Sequence, residues 1–211
     1  MFVDVHNRGR RGRPANEALG QTIVDAAVDL FGELGFHATT LDAVAQHAKI
    51  SKLSIYRHFE NKEALFSAAI SARCHQLTPN LRFEEAGGSA EEQLTTVARS
   101  LLRTLLNPEV INVEAMILAD KTNKETLSKL HFEAGPASII SQVQTLLERL
   151  HAKSLLKVPD PHQSARLFAA LLKGSDLLMI ARFDRAKAED DNEVEAYCQS
   201  AVTMFLAAHT V

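Results

Sequence analysis

The side chains with the most chemistry to offer crowd into one short stretch. Between Lys49 and Lys62 the chain places Lys49, Ser51, Lys52, Ser54, Tyr56, Arg57, His58 and Lys62. Cations interleaved with hydroxyl, phenol and imidazole groups suit a polyanion read by hydrogen bonds, as the phosphates and base edges of DNA are. A second cationic stretch comes first in the chain: Arg8, Arg10, Arg11 and Arg13 against Asp4 give residues 1–16 a local charge of +3, and residues 37–62 carry +2. The formal net charge is -3, and residues 67–211 account for all of it. A polyanion would therefore meet this chain through a local patch. Other chemistries lack their signatures. There is no Gly-rich phosphate loop and no nucleophile elbow, and none of the nine histidines pairs with another at helical i, i+4 spacing. Neither an enzyme, a metal site nor a cofactor is expected.

The elements that must position these groups read as helices. Leu19, Ile23, Ala26, Ala27, Leu30, Phe31 and Leu34 recur at steps of three and four, and Gly35 follows as a helix breaker. Thr39, with Asp42 three residues on, predicts the N-cap of a short helix ending near His47. Ser51 caps a second short helix carrying Leu53, Ile55 and Tyr56, and Asn61 a third carrying Leu65, Phe66, Ala69 and Ile70. Two short helices across a tight turn, packed on a longer one, make a helix-turn-helix unit. The N-terminal end of its second helix then offers Ser51, Lys52, Leu53, Ser54, Tyr56, Arg57 and His58 to a major groove. Lys62 stands in the first turn of a capped helix, where free N–H groups attract an anion.

Helical signals continue to the end of the chain. Ser89 with Glu92 predicts a capping box, and Asn107–Pro108, Gly135–Pro136 and Asp160–Pro161 mark later helix starts. The last two helices are expected at about residues 162–183 and 192–208, separated by a charged segment. Strand signals are nearly absent. The expectation is an all-α fold of about nine helices: a basic disordered arm (1–16), a helix-turn-helix head (17–66, its last helix extending to about 78) and a larger helical body (67–211).

These residues resemble the TetR/AcrR transcriptional regulators. The resemblance rests on FGELGF (31–36), TTLDAVA (39–45), ISKLSIYRHF (50–59) and NKEALF (61–66). FEAGP (132–136), Asp160 and residues 168–174 are similar to the AefR-like ligand domain of that family. The resemblance implies a homodimer bound to a double-stranded DNA operator, with residues 17–66 as the DNA-binding head and residues 67–211 as the ligand-binding and dimerisation body. Lys52, Leu53 and Arg57 would approach bases, and Thr40, Tyr56 and Lys62 would hold phosphates. The chain departs from the family pattern at three positions: Lys49 where a turn glycine is usual, Leu53 where a small residue or proline is common, and Asp42 where some members present arginine to a base. Phe59 is expected in the core.

The arm contains Arg11-Gly12-Arg13-Pro14, similar to an AT-hook core. It either enters a narrow A·T minor groove or adds only electrostatic attraction. In the body, Cys74, Met116, His131, Phe132, Phe168 and Met179 are candidates for the pocket of an unidentified small-molecule effector, and each also suits ordinary core. Leu171, Gly174, Ser175, Leu178, Ala201, Met204 and Phe205 are candidates for the subunit interface, with intrachain core as the alternative. No apolar run approaches a membrane span, and no secretory signal is expected, so the expectation is a cytoplasmic, nucleoid-associated protein. A ligand-responsive repressor leads the alternatives of an activator or an architectural DNA binder, the last opposed by the acidic body.

Overall fold

The computed structural model describes the backbone of residues 13–77 and 88–209. Among these residues the chain forms twelve helical segments and no strand. They are α1 (Arg13–Ala38), α2 (Leu41–His47), α3 (Lys52–His58), α4 (Lys62–Leu77), α5 (Ala90–Leu106), α6 (Pro108–Ala119), α7 (Lys124–Ala134), α8 (Pro136–Ala152), α9 (Pro161–Lys173), α10 (Leu177–Ile180), α11 (Arg185–Ala188) and α12 (Asp191–Ala207). No helix is long and apolar enough to cross a membrane among the described residues. The chain divides into two compact units, residues 1–72 and 73–211.

In the first unit, α1 begins at Arg13, inside the stretch expected to be a disordered arm. Ile23, Ala27 and Phe31 bury its apolar face as the spacing requires, but Leu34 stays half-exposed. The reason is Gly35, whose φ of 79° bends the backbone and turns the following Phe36 inward. Phe36 stacks on Phe31 at 5.8 Å, and both meet Phe66 of α4 edge-on at 5.3 and 5.2 Å. Burying each ring contributes about 1.5–3 kcal/mol, so this trio anchors the small unit.

The kink also shifts the cap of α2. The expected N-cap, Thr39, is fully buried, and its hydroxyl contacts the carbonyls of Gly35 (2.8 Å) and Leu30 (3.0 Å) instead. Thr40 is the cap, accepting from the Ala43 N–H at 3.1 Å, which puts Asp42 one position short of a capping box. The helix ends in a Schellman arrangement: Ile50 N–H donates to Ala45 O and Lys49 N–H to Gln46 O. Lys49 occupies its left-handed position at φ 56°, where glycine is usual.

The second unit is a helical bundle in which α5 packs on α12 and α8 on α9. Leu94, Val97, Leu101, Leu102, Val143, Leu146, Leu147, Leu150, Phe168 and Phe205 form its interior. The Ser89–Glu92 capping box, the Asn107 cap and the Asp160 cap with Pro161 behind it form where the sequence places them. The helix expected over residues 162–183 does not run through. It stops at Lys173 with Gly174 as C-cap, and Ser175, now buried, uses its Oγ to accept from the Leu177 N–H at 3.2 Å. Leu171 O, which a continuous helix would pair with the Ser175 N–H, accepts from the Tyr197 hydroxyl of α12 at 2.7 Å. The expected charged connection before α12 also contains a helical turn, α11, capped by Asp184.

Candidate nucleic-acid interface

Helix α3 owes its start to Ser51, which accepts from the Ser54 N–H at 3.2 Å while the two hydroxyls meet at 2.8 Å. Ile55 points inward and is fully buried. The opposite face carries Lys52, Leu53, Tyr56 and Arg57, with Lys49 and Ser51 just before it, all exposed. Leu53 is 60 % exposed and Tyr56 51 %. A leucine and a tyrosine held out to water beside three cations form a face suited to base edges and phosphates. Phe59, by contrast, is partly buried.

Three of the expected contact residues hold partners inside the unit. Lys52 Nζ donates to the Asp42 carboxylate of α2 at 2.7 Å and lies 5.9 Å from the Tyr56 ring centroid. The Asp42 hydrogen bond holds the Lys52 ammonium above its ordinary range, against a smaller opposing effect of desolvation. Lys62 Nζ turns back to the end of α1, donating to Phe36 O at 2.9 Å and Thr39 O at 3.1 Å, with His37 O at 3.4 Å. It also lies 4.3 Å from the Phe36 ring centroid. The ammonium thus neutralises carbonyls left open at a helix C-terminus, a role distinct from the expected phosphate contact. Asn61 caps α4 through the Ala64 N–H at 2.7 Å. The His58 ring lies between two main-chain carbonyls, Nδ1 2.8 Å from Ser54 O and Nε2 3.1 Å from Asn16 O; a neutral ring donates to one of them at a time, and its position joins the first turn of α1 to α3. Neither the Asp42 pairing nor the His58 bridge was readable from sequence, because each joins elements through a turn whose geometry the residue spacing does not specify. Arg11 lies outside the described residues, and of Arg13 only its place at the start of α1 is described.

The residues expected in the second unit scatter. Phe168 is fully buried and packs edge-on against Phe205 at 5.0 Å, whereas Met179 and Phe132 are exposed and Cys74 and Met116 partly buried. His131 is partly buried, and that burial lowers its proton affinity; Glu114 opposes the effect and Lys173 adds to it. Lys173 and Glu114 pair at 3.2 Å, so α6, α7 and α9 bring a small polar cluster together. A cleft of about 530 Å³ lies elsewhere, lined by Glu91, Thr95, Arg99 and Gln199 among others, and includes none of the six expected ligand residues. Of the residues expected between subunits, Ser175, Ala201 and Phe205 are buried within their own chain, Leu171 and Leu178 are partly so, and Gly174 and Met204 face outward. No group of three metal-ligating side chains occurs among the described residues.

Residues 23–69 match the family model described as bacterial regulatory proteins of the tetR family. Residues 92–211, more than half of the chain, match that of the AefR-like transcriptional repressor C-terminal domain. The chain is 32% identical over 118 residues to the HTH-type transcriptional regulator YdeS of Bacillus subtilis (strain 168), covering 56% of this chain and 58% of YdeS. Two solved structures cover nearly all of it. One is a TetR-family regulator of Mesorhizobium loti MAFF303099, with a TM-score of 0.75 and 25% identity over 93% of this chain and 98% of that one. The other is the flavonoid-responsive regulator FrrA, with a TM-score of 0.75 and 28% identity over 92% and 98%.

Proposed function

This chain belongs to the TetR family of bacterial regulatory proteins, which are DNA-binding transcriptional regulators and not enzymes, and from that premise we propose that it is a ligand-responsive repressor. It binds a palindromic operator as a homodimer, acting on the chromosome in the cytoplasm, with α3 in the major groove. The observation that carries this reading is the outward face of α3, where Leu53 and Tyr56 stand exposed among Lys49, Lys52 and Arg57. Leu53 suits a thymine methyl, Lys52 and Arg57 base acceptors, and Tyr56, Thr40, Ser51, Ser54 and the first turn of α4 the phosphates. The arm with Arg11 and Arg13 adds a further cationic contact, and His58 positions it by holding the start of α1.

A dimer is supported by exposed residues of α9 and α12: Leu167, Ala170 and the cap Gly174 with Ser200, Thr203, Met204 and Ala207. Leu167 and Met204 are 53 % and 63 % exposed there, and the small residues between them allow a second copy to approach closely. Two heads about one helical turn apart, roughly 34 Å, read the two half-sites. An effector that binds better to a dimer with another head spacing removes it from DNA by its differential affinity. FrrA is flavonoid-responsive, so a planar aromatic polyphenol is the first effector class to test. The test selects bound sequences from a random DNA pool with the full chain, then footprints the product with and without effector. A palindrome released by an effector that also raises the melting temperature supports the reading, and DNA coated without sequence choice overturns it.

A further inference from the structure

The pairing of Asp42 with Lys52 links α2 to α3 at the surface. Both side chains are at least half exposed, so the ion pair contributes little to stability. A carboxylate near the groove also repels phosphates, a cost that an alanine would avoid. Yet the pair is held in a definite place: Asp42 in the first turn of α2, Lys52 in the first turn of α3, oxygen and nitrogen 2.7 Å apart and the ammonium near the Tyr56 ring.

That arrangement matches one feature of the DNA major groove. An ammonium has three N–H donors; one is given to Asp42, and two remain. A carboxylate only accepts, and the Lys52 bond leaves most of its lone pairs free. Guanine offers two acceptors, N7 and O6, and its paired cytosine the N4 amino donor. O6 and N4 hydrogen-bond to each other, so acceptor and donor stand about 2.9 Å apart on the groove edge. This acceptor–acceptor–donor order occurs only on a G·C pair read from the guanine side. On A·T the second position is a donor, and on T·A a methyl group meets the charged pair.

We propose that Asp42 and Lys52 act as one reading unit for a single G·C pair in each half-site, Lys52 on guanine N7 and O6 and Asp42 on cytosine N4, which makes Asp42 a specificity-determining residue. The inference rests on α3 occupying the major groove, and the test separates the two. Full-length wild type, D42A, D42N and K52A are each used to select from a random DNA pool, then titrated against the selected operator with every base pair substituted in turn. Melting temperatures check that each variant is folded, and D42N preserves the shape of the side chain should D42A fail. Wild type should require G·C at one position per half-site, by about tenfold or more over A·T. D42A should lose that preference at the same position as K52A, D42N should weaken it because its amide oxygen still accepts, the double variant D42A/K52A should lose no more there, and preferences elsewhere should persist. If D42A instead tightens binding to all sequences alike and keeps its G·C preference, or if its loss falls at another position than that of K52A, the proposal is overturned. A wild type without any sequence preference would overturn the placement of α3 itself.

Discussion

Replacing Lys62 by methionine separates two roles that a single cation at the start of α4 could play. Methionine keeps a long apolar stem and removes the ammonium. In the structure that ammonium makes two good hydrogen bonds, to Phe36 O (2.9 Å) and Thr39 O (3.1 Å), and lies 4.3 Å from the Phe36 ring centroid. Hydrogen bonds to a charged group contribute about 1.5–3 kcal/mol each. A partly exposed cation–π contact adds about 0.5–1 kcal/mol. Ordering the lysine side chain offsets up to about 2 kcal/mol of this. The head unit should therefore lose about 1.5–5 kcal/mol, read as faster amide hydrogen exchange in α2, α3 and α4 with α5 and α8 of the other unit as the unchanged control. Under conditions where both proteins are folded, the salt dependence of operator binding should keep its slope. A lysine that instead neutralises a phosphate gives the opposite result. The slope then falls by about 0.9 for each of the two heads on the operator and exchange in the head stays as it was, which would refute the capping role.

The remaining predictions address the turn, the two threonines, the dimer and the arm. Lys49→Gly should stabilise the head by about 0.5–1 kcal/mol in denaturant titration, because Lys49 holds φ 56° at a left-handed helix end, while operator affinity falls with the removed cation. Thr39→Val should cost about 1 kcal/mol by removing the buried hydroxyl that reaches the Gly35 and Leu30 carbonyls. Thr40→Ala should cost about 1 kcal/mol through loss of the cap and, unlike Thr39→Val, also weaken DNA binding. Leu167→Glu with Met204→Glu should make the protein monomeric in sedimentation equilibrium, since burying unpaired carboxylates costs several kcal/mol; a persistent dimer would place the interface elsewhere. Deleting residues 1–12 should lower the salt slope of operator binding by about one unit for each phosphate that the arm neutralises, and an unchanged slope would remove the arm from binding.

How much of this was legible in the sequence depends on whether a feature is local. Caps that act within one turn were readable: Ser51, Ser89, Asn107 and Asp160 all perform the role their residue type and neighbours suggest. Thr39 and Thr40 show where this stops. Two adjacent hydroxyls are equivalent as caps by type, and the choice between them is made by Gly35, which turns Phe36 into the core and buries Thr39 with it. The break at Gly174 was hidden for a related reason, since the apolar spacing of residues 167–179 continues across it. What compensates the interrupted helix is Tyr197, a hydroxyl arriving from another helix.

The candidate sites divide along the same line. Helical periodicity identifies which residues share a face, and the face of α3 was legible because only one of its sides could be apolar core. On α9 and α12 both sides are apolar, so periodicity alone could not assign Phe205 to its own chain and Met204 to the surface, though they are neighbours. Charge had the same limit. Summed by segment, Lys52 and Lys62 were two equal cations beside a groove, but a cation acts through the acceptors it reaches. Lys62 spends its donors on the end of α1, while Lys52 keeps donors free and carries a carboxylate with it. The first is thereby engaged within the head, and the second is the one proposed to read sequence. That difference was invisible in the count because both partners come from other elements, brought within reach only by the turns at Gly35 and Lys49.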